Sequence, residues 1–387
     1  MNGIIYHSVD PSNSKTTYGE TDTLDFILAN DASRDMLLNS NYGVRIEGKI
    51  RVNEAGSGSS GTRQVAARIN FFDNLVGIHG VCETVATEFQ NVGQVELINE
   101  YPRMVKAEQA ATKSLDDMNN ASQQVELKAC TVEATREYCK GFMTTDPATG
   151  NAITDGTDAL IRDMDFSFKP SIALNHSSAN APFSKTGYVK ISINLARDAN
   201  FFEGVGQTAN FNYVLSEVRC CYYSVPANPN PPQAIMRRML NIKTSLNSAH
   251  ANLSARVPAV CSSMFANFQP SSNENQLVTN NNQLHSLPNL NYVQFQFADS
   301  TSQYIAYKLE GRGDQLHKFL EAMGSVSGHN NISAEKWKAN NTFGLGLDFS
   351  QPVNLANSKF NLEIDSSFDF STNPYVAYLY FKSQVSL

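Results

Sequence analysis

Few residues in this sequence combine a chemically useful type with a useful spacing, and each that does has a plainer reading beside it. Gly56-Ser57-Gly58-Ser59-Ser60-Gly61 meets the G-x-G-x-x-G pattern that cradles a pyrophosphate. That use requires a following helix whose N-terminal amides receive the anion. Residues 62–72 alternate like a strand, so a solvated loop is expected. Arg312-Gly313-Asp314 is the tripeptide that integrins read in exposed loops. Here an amphipathic helix begins, and an N-cap role for Asp314 is reason enough for the residue. Asp116-Asp117 is a pair of carboxylates, but neighbours on a helix point about 100° apart and cannot share one site. Cys220-Cys221 lies in a strand pattern that sends the two thiols to opposite faces.

Wider searches end the same way. The seven histidines, His7, His79, His176, His250, His285, His317 and His329, include no H-x-H or H-x-x-x-H pair for a metal. The six cysteines, Cys82, Cys130, Cys139, Cys220, Cys221 and Cys261, have neither metal nor disulfide-framework spacing, so buried free thiols are expected. No G-x-S-x-G elbow occurs. The sequence therefore points to no catalytic, cofactor-binding or metal-binding residue, and not to an enzyme. The formal net charge is -7. With Arg237-Arg238 the longest basic cluster of note, sequence-specific nucleic-acid binding is not expected. No leader-like N-terminus or spanning apolar run is seen, so a reducing compartment is expected. The Asn-Xaa-Ser/Thr triplets at Asn120, Asn175, Asn252, Asn331 and Asn340 then mean little.

What remains is scaffold. At 387 residues the chain exceeds the roughly 250–300 residues at which single cores stop growing, so two domains are expected. A repeat agrees. Residues 343–387 can be laid over 188–225 as three strands each: 343–349 on 189–195, 359–364 on 210–215, and 375–381 on 218–225. Further strands are expected at 44–52, 65–72, 164–168, 259–268, 293–297 and 304–309, from alternation of apolar and polar residues. Helices are expected at 102–119, 314–323, and briefly from Ser333 carrying Trp337. The four prolines of 226–232 mark a boundary. The resulting division is a polar arm over 1–20, a first β domain over 21–228 and a second over 229–387. The aromatic excess, 15 Tyr and 22 Phe, is assigned to cores and subunit contacts.

In this order of elements the chain resembles the double jelly-roll major capsid proteins of icosahedral double-stranded DNA viruses, the group that includes tailless membrane-containing phages and virophages. The residues that carry the resemblance are Val44-Arg-Ile-Glu-Gly-Lys-Ile-Arg-Val52, Leu316-His-Lys-Phe-Leu-Glu-Ala322 and Phe343-Gly-Leu-Gly-Leu-Asp-Phe349. Asn354-Leu-Ala-Asn-Ser-Lys-Phe-Asn-Leu362 and Ala377-Tyr-Leu-Tyr-Phe381 complete the set. The resemblance implies a mainly β fold of two tandem eight-stranded jelly-roll sandwiches with short helices in loops. It also implies homotrimers acting as pseudo-hexagonal capsomers of a virion shell, synthesised in the host cytoplasm. Minor capsid or penton proteins and an internal lipid membrane are the implied further partners. Loops 144–158 and 269–287 would be outward towers, and the arm would reach under neighbours or toward the membrane.

The rival reading is a tandem β-sandwich recognition protein, of spike or carbohydrate-binding type. It predicts a monomer or small oligomer and exposed aromatic clusters.

Overall fold

The computed structural model describes residues 3–28, 31–38, 42–55, 62–64, 72–73, 75–114, 125–128, 164–202, 211–276, 281–298, 303–325, 332–338, 342–356 and 358–387. The loop at 56–61, most of the strand expected at 65–72, Asp116-Asp117, the tower expected at 144–158, and Cys130, Cys139 and His329 lie outside them.

The second half is the cleaner jelly roll. Its strands are β13 (Ile235–Leu246), β14 (His250–Ala255), β15 (Val260–Pro270), β16 (Leu290–Ala298), β17 (Gln303–Leu309), β18 (Leu345–Asn354), β19 (Lys359–Ser366) and β20 (Tyr375–Ser386). They pair in the orders β18-β15-β20-β13 and β14-β19-β16-β17. First strand lies beside last, and the two four-stranded layers face each other, as a jelly roll requires. The alternation read in the sequence is the cause. Leu345, Leu347 and Phe349 point inward with Phe360, Leu362 and Ile364, while Asp348, Asn361 and Glu363 do not.

The first half has the same plan with additions. Its strands are β1 (Ile5–Val9), β2 (Thr17–Tyr18), β3 (Thr23–Leu28), β4 (Arg34–Met36), β5 (Arg45–Ala55), β6 (Thr62–Gln64), β7 (Cys82–Phe89), β8 (Gly93–Asn99), β9 (Met164–Phe168), β10 (Ala181–Pro182), β11 (Val189–Leu195) and β12 (Phe211–Pro226). β3, β11, β7 and β8 form one layer. β12 is flanked by β1 and β2 on one side and by β5 on the other, and β9 pairs with β5. β4, β6 and β10 extend this second layer.

Two readings of the sequence change here. Within the stretch 1–20, expected as an arm, β1 and β2 join the sheet: Ile5 lies opposite Ser224 and Tyr18 opposite Leu215. The pattern was hard to see because β1 is a half-exposed edge strand and the segment breaks at Pro11. The overlay of 343–387 on 188–225 is also one strand out of step. Residues 211–226 are a single strand with a bulge between Ser216 and Arg219, where Glu217 takes φ 51°. The extra residue reverses the alternation, so one long strand reads as two. The true partner of β19 is β11, and that of β18 is β9.

Helix α1 (Tyr101–Thr112) carries Pro102 in its first turn and ends where Lys113 becomes extended. It is shorter than the 102–119 expected over the described residues. Nine of its twelve residues are buried, Arg103 and Lys106 among them, so it is walled in on nearly every side. Helix α2 (Arg312–Met323) begins two residues earlier than expected, with Gly311 rather than Asp314 at the N-cap and no side-chain cap. It stops at Gly324, whose φ of 77° lets its amide turn back to the carbonyls of Leu320 and Glu321. α2 rests on β18 over two glycines. A Cβ on Gly344 would meet the Phe319 ring, and one on Gly346 would stand 2.8 Å from that of Ala322. Helix α3 (Ala334–Lys338) holds Trp337, as expected.

β13 runs parallel to β8, with Leu240 beside Leu97, so one eight-stranded sheet passes through both sandwiches. Parallel pairing gives both the same polarity. β1 starts, β12 ends, β13 starts and β20 ends at one end of the molecule, as their registers require. The segments that follow β5, β8, β15 and β17 leave from the other end.

Candidate functional site

The most elaborate polar construction in the described residues is the seam between the two sandwiches. Backbone pairing of β13 with β8 is limited to a single register pair, so side chains complete the ladder. Asn241 does this by imitating a peptide unit: its Oδ1 accepts the Asn99 amide at 3.0 Å and its Nδ2 donates to the Asn99 carbonyl at 2.8 Å. Glu96, buried at 2% exposure, accepts the Met239 amide at 2.8 Å from one half and the Ala173 amide at 2.7 Å from the other. Burial pushes its carboxyl up to about 7, against the pull of those two amides. Arg238 donates to the Val95 carbonyl at 2.9 Å. Below them, the Ser178 amide donates to the Ile235 carbonyl and the Ile235 amide to the Ser178 hydroxyl.

Next to this ladder, His176 and Arg237 meet. Arg237 Nη2 lies 3.1 Å from His176 Nδ1, and His176 Nε2 lies 3.0 Å from the Ser171 hydroxyl. Ser171 in turn donates to Glu108 of α1 at 2.7 Å. Lys382, on β20, donates to the Ala322 carbonyl at 2.6 Å, and burial brings its ammonium down to about 8.

α1 is the wedge that fills the seam from the loop end. Arg103, 1% exposed, donates to the carbonyls of Asn281 and Gln283, and its guanidinium lies 4.6 Å over the Tyr378 ring. Tyr380 donates to the Glu100 carbonyl at 3.0 Å, and Ser325 donates to that of Ala111. Arg103→Met is expected to lower unfolding free energy by about 2–4 kcal/mol in urea titration, because it removes two guanidinium–carbonyl hydrogen bonds and the cation over Tyr378.

Between these contacts lies a polar cavity of about 180 Å³ lined by Glu83, Glu100, Arg197, Lys243, Glu274 and Tyr378 among others. Lys243 joins Glu274 at 2.7 Å and Glu100 at 3.3 Å. Burial works against its charge, yet the two carboxylates hold the ammonium above its ordinary range. Charges paired in this way bind the walls of the cavity together. Among the described residues no group of three or more His, Cys, Asp or Glu is placed to hold a metal.

The residues singled out for chemistry fall elsewhere. Arg312-Gly313-Asp314 is the first turn of α2, and Arg312 is held by the Leu287 carbonyl, so the tripeptide is not an extended loop. Cys220 is buried in the core, while Cys221 on the other face accepts from the Tyr6 hydroxyl at 2.9 Å. Cys82, Cys220, Cys221 and Cys261 are free thiols, raised by burial. His317 is exposed beside Glu321. Of the seam residues, the sequence names Arg237-Arg238 only as a short basic cluster and His176 only as a histidine without a metal partner. Arg103 had one signal, a lone guanidinium inside the apolar run of α1.

No protein-family model and no curated protein matches the sequence. Solved structures do match in fold. The Sputnik virophage structure solved by cryo-EM aligns with a TM-score of 0.58 at 10% identity, covering 100% of this chain and 86% of that one. The PBCV-1 virus capsid aligns at 0.55 and 8% identity, covering 99% and 94%. The Faustovirus major capsid protein aligns at 0.52 and 10% identity, covering 100% and 90%. The chain has the double jelly-roll fold of these viral capsid proteins. No described helix is long and apolar enough to cross a bilayer.

Proposed function

We propose that this chain is a structural major capsid subunit of an icosahedral virion, not an enzyme. One observation carries the reading: the whole chain, end to end, matches capsid proteins over most of their own length. Conserved order of two complete sandwiches is a stronger likeness than a shared single domain. The division that follows is a first jelly roll up to about residue 228 and a second from 229, joined through the proline-rich segment, with β1 and β2 belonging to the first.

Self-assembly is homotrimeric in this reading. Two sandwiches of the same polarity, side by side, give six in a trimer, and six upright sandwiches outline a pseudo-hexagon that tiles a flat facet. The long loops at one end would face outward. The other end, which carries the exposed Ile4, Ile5, Val92, Ile235 and Val260, would face inward, toward minor capsid proteins or a lipid layer. A net charge of -7 suits a subunit that does not touch the genome directly.

Light scattering of the purified full chain over a dilution series tests this. The expected mass is three times the 42.6 kDa of one chain, unchanged on dilution. A monomer at every concentration would overturn the capsomer reading.

A further inference from the structure

We propose that His176 is a proton-operated latch between the two sandwiches, closed while its imidazole is neutral and released when it takes a second proton. The argument is one of hydrogen-bond direction. A guanidinium can only donate, so at the 3.1 Å contact with Arg237 the Nδ1 atom of His176 must be the acceptor. Nε2 then carries the hydrogen and donates to Ser171, whose own hydroxyl hydrogen goes to Glu108. The four groups form a one-way chain from β13 of the second sandwich to α1. A proton on Nδ1 would set two donors and two positive charges face to face, and the link cannot survive that.

The surroundings point the same way. Facing His176 are Glu108 from α1, Arg237 from β13, Lys382 from β20 and Lys169 just after β9, while Glu96 of β8 titrates elsewhere in the same seam. Burial holds the imidazole below its ordinary value. Glu108 opposes this, and Arg237, Lys169 and Lys382 add to it. A depressed folded value means that the stability from neutral His176 is complete above the ordinary value of 6.5 and is lost as pH falls through the folded one. Glu96 has the opposite sign, because a raised carboxyl loses its contribution as pH rises toward about 7. Whole-chain melting adds the two slopes, so the latch must be read locally and against a variant.

The test is hydrogen–deuterium exchange of the full chain at about pH 7.5 and about pH 5.5, corrected for intrinsic rates, in peptides covering 171–178 and 235–243. In the wild type, corrected exchange there is expected to rise roughly three- to tenfold at the lower pH, the range for losing one partly exposed hydrogen bond. His176→Gln can accept from Arg237 and donate to Ser171 but does not titrate, so its exchange should stay low at both. Arg237→Ala, at an exposed position, should be high at both. A pH response that persists undiminished in either variant, or that is missing from the wild type, would overturn the latch. Trimer formation plays no part in this readout, so its failure and that of the capsid reading are distinguishable.

Discussion

Replacing Lys106 by methionine is expected to lower the unfolding free energy by about 3–5 kcal/mol, the cost of leaving a buried charge without its partner. Lys106 and Asp73 pair with each other at 1% and 2% exposure. Asp73 also accepts the amides of Leu75 and Val76, which turns the chain into the short 3-10 helix Gly77–Val81. The pair thus ties α1 to the segment that leads into β7. Removing the ammonium takes from the buried carboxylate the cation it pairs with at 1% exposure. The single variant and the double variant Asp73→Asn with Lys106→Met, compared by urea unfolding, separate charge from packing. The double should recover more than half of the loss. A single variant within about 0.5 kcal/mol of wild type would show that the pair contributes nothing.

Trp337→Ala is the second large effect, also about 3–5 kcal/mol, as expected for truncating a fully buried indole. Trp337 is 0% exposed, stands 4.7 Å from the Phe343 ring and donates from Nε1 to the Gly344 carbonyl at 3.0 Å. Gly344 is where Phe319 of α2 comes closest to the sheet. One side chain therefore fixes the start of β18 and, through it, the seat of α2. Tryptophan fluorescence cannot follow a variant lacking the only Trp, so circular dichroism against temperature is the measurement. Unchanged melting would mean that α3 is an ornament of the loop. Phe in its place should restore part of the loss, because the ring contact returns without the indole hydrogen bond.

Buried polar pairs of this kind explain where sequence reasoning ended. His79, Glu126 and Lys128 form a buried cluster of the same kind: His79 Nδ1 lies 2.9 Å from the Tyr101 hydroxyl, and Lys128 donates to Glu126 at 2.6 Å. Burial alone would raise the Glu126 carboxyl, but His79 and Lys128 outweigh it and bring it down to about 2. Glu126 and His79 stand 47 residues apart, and nothing in their local context predicts that they meet.

By itself the sequence determined the class of the fold and most of its second half. Alternation in β15, β16, β18, β19 and β20 reports which face meets the core, and burial on one face of a strand leaves a period-two record in the chain. The amphipathic stripe of α2 and the proline-rich interruption between strands β12 and β13 were legible for the same reason: each is a local consequence of local residue types. Tertiary structure alone decided the rest. The bulge at 216–219 shifted the repeat by one strand, because bulges reverse alternation without changing composition. β1 read as an arm, because an edge strand exposes what a central strand hides. The seam of Glu96, Arg103, His176, Arg237 and Asn241 belongs to no motif. Its members come from four separate elements, and their partners are mostly backbone groups, which are the same in every residue and leave no mark on a sequence.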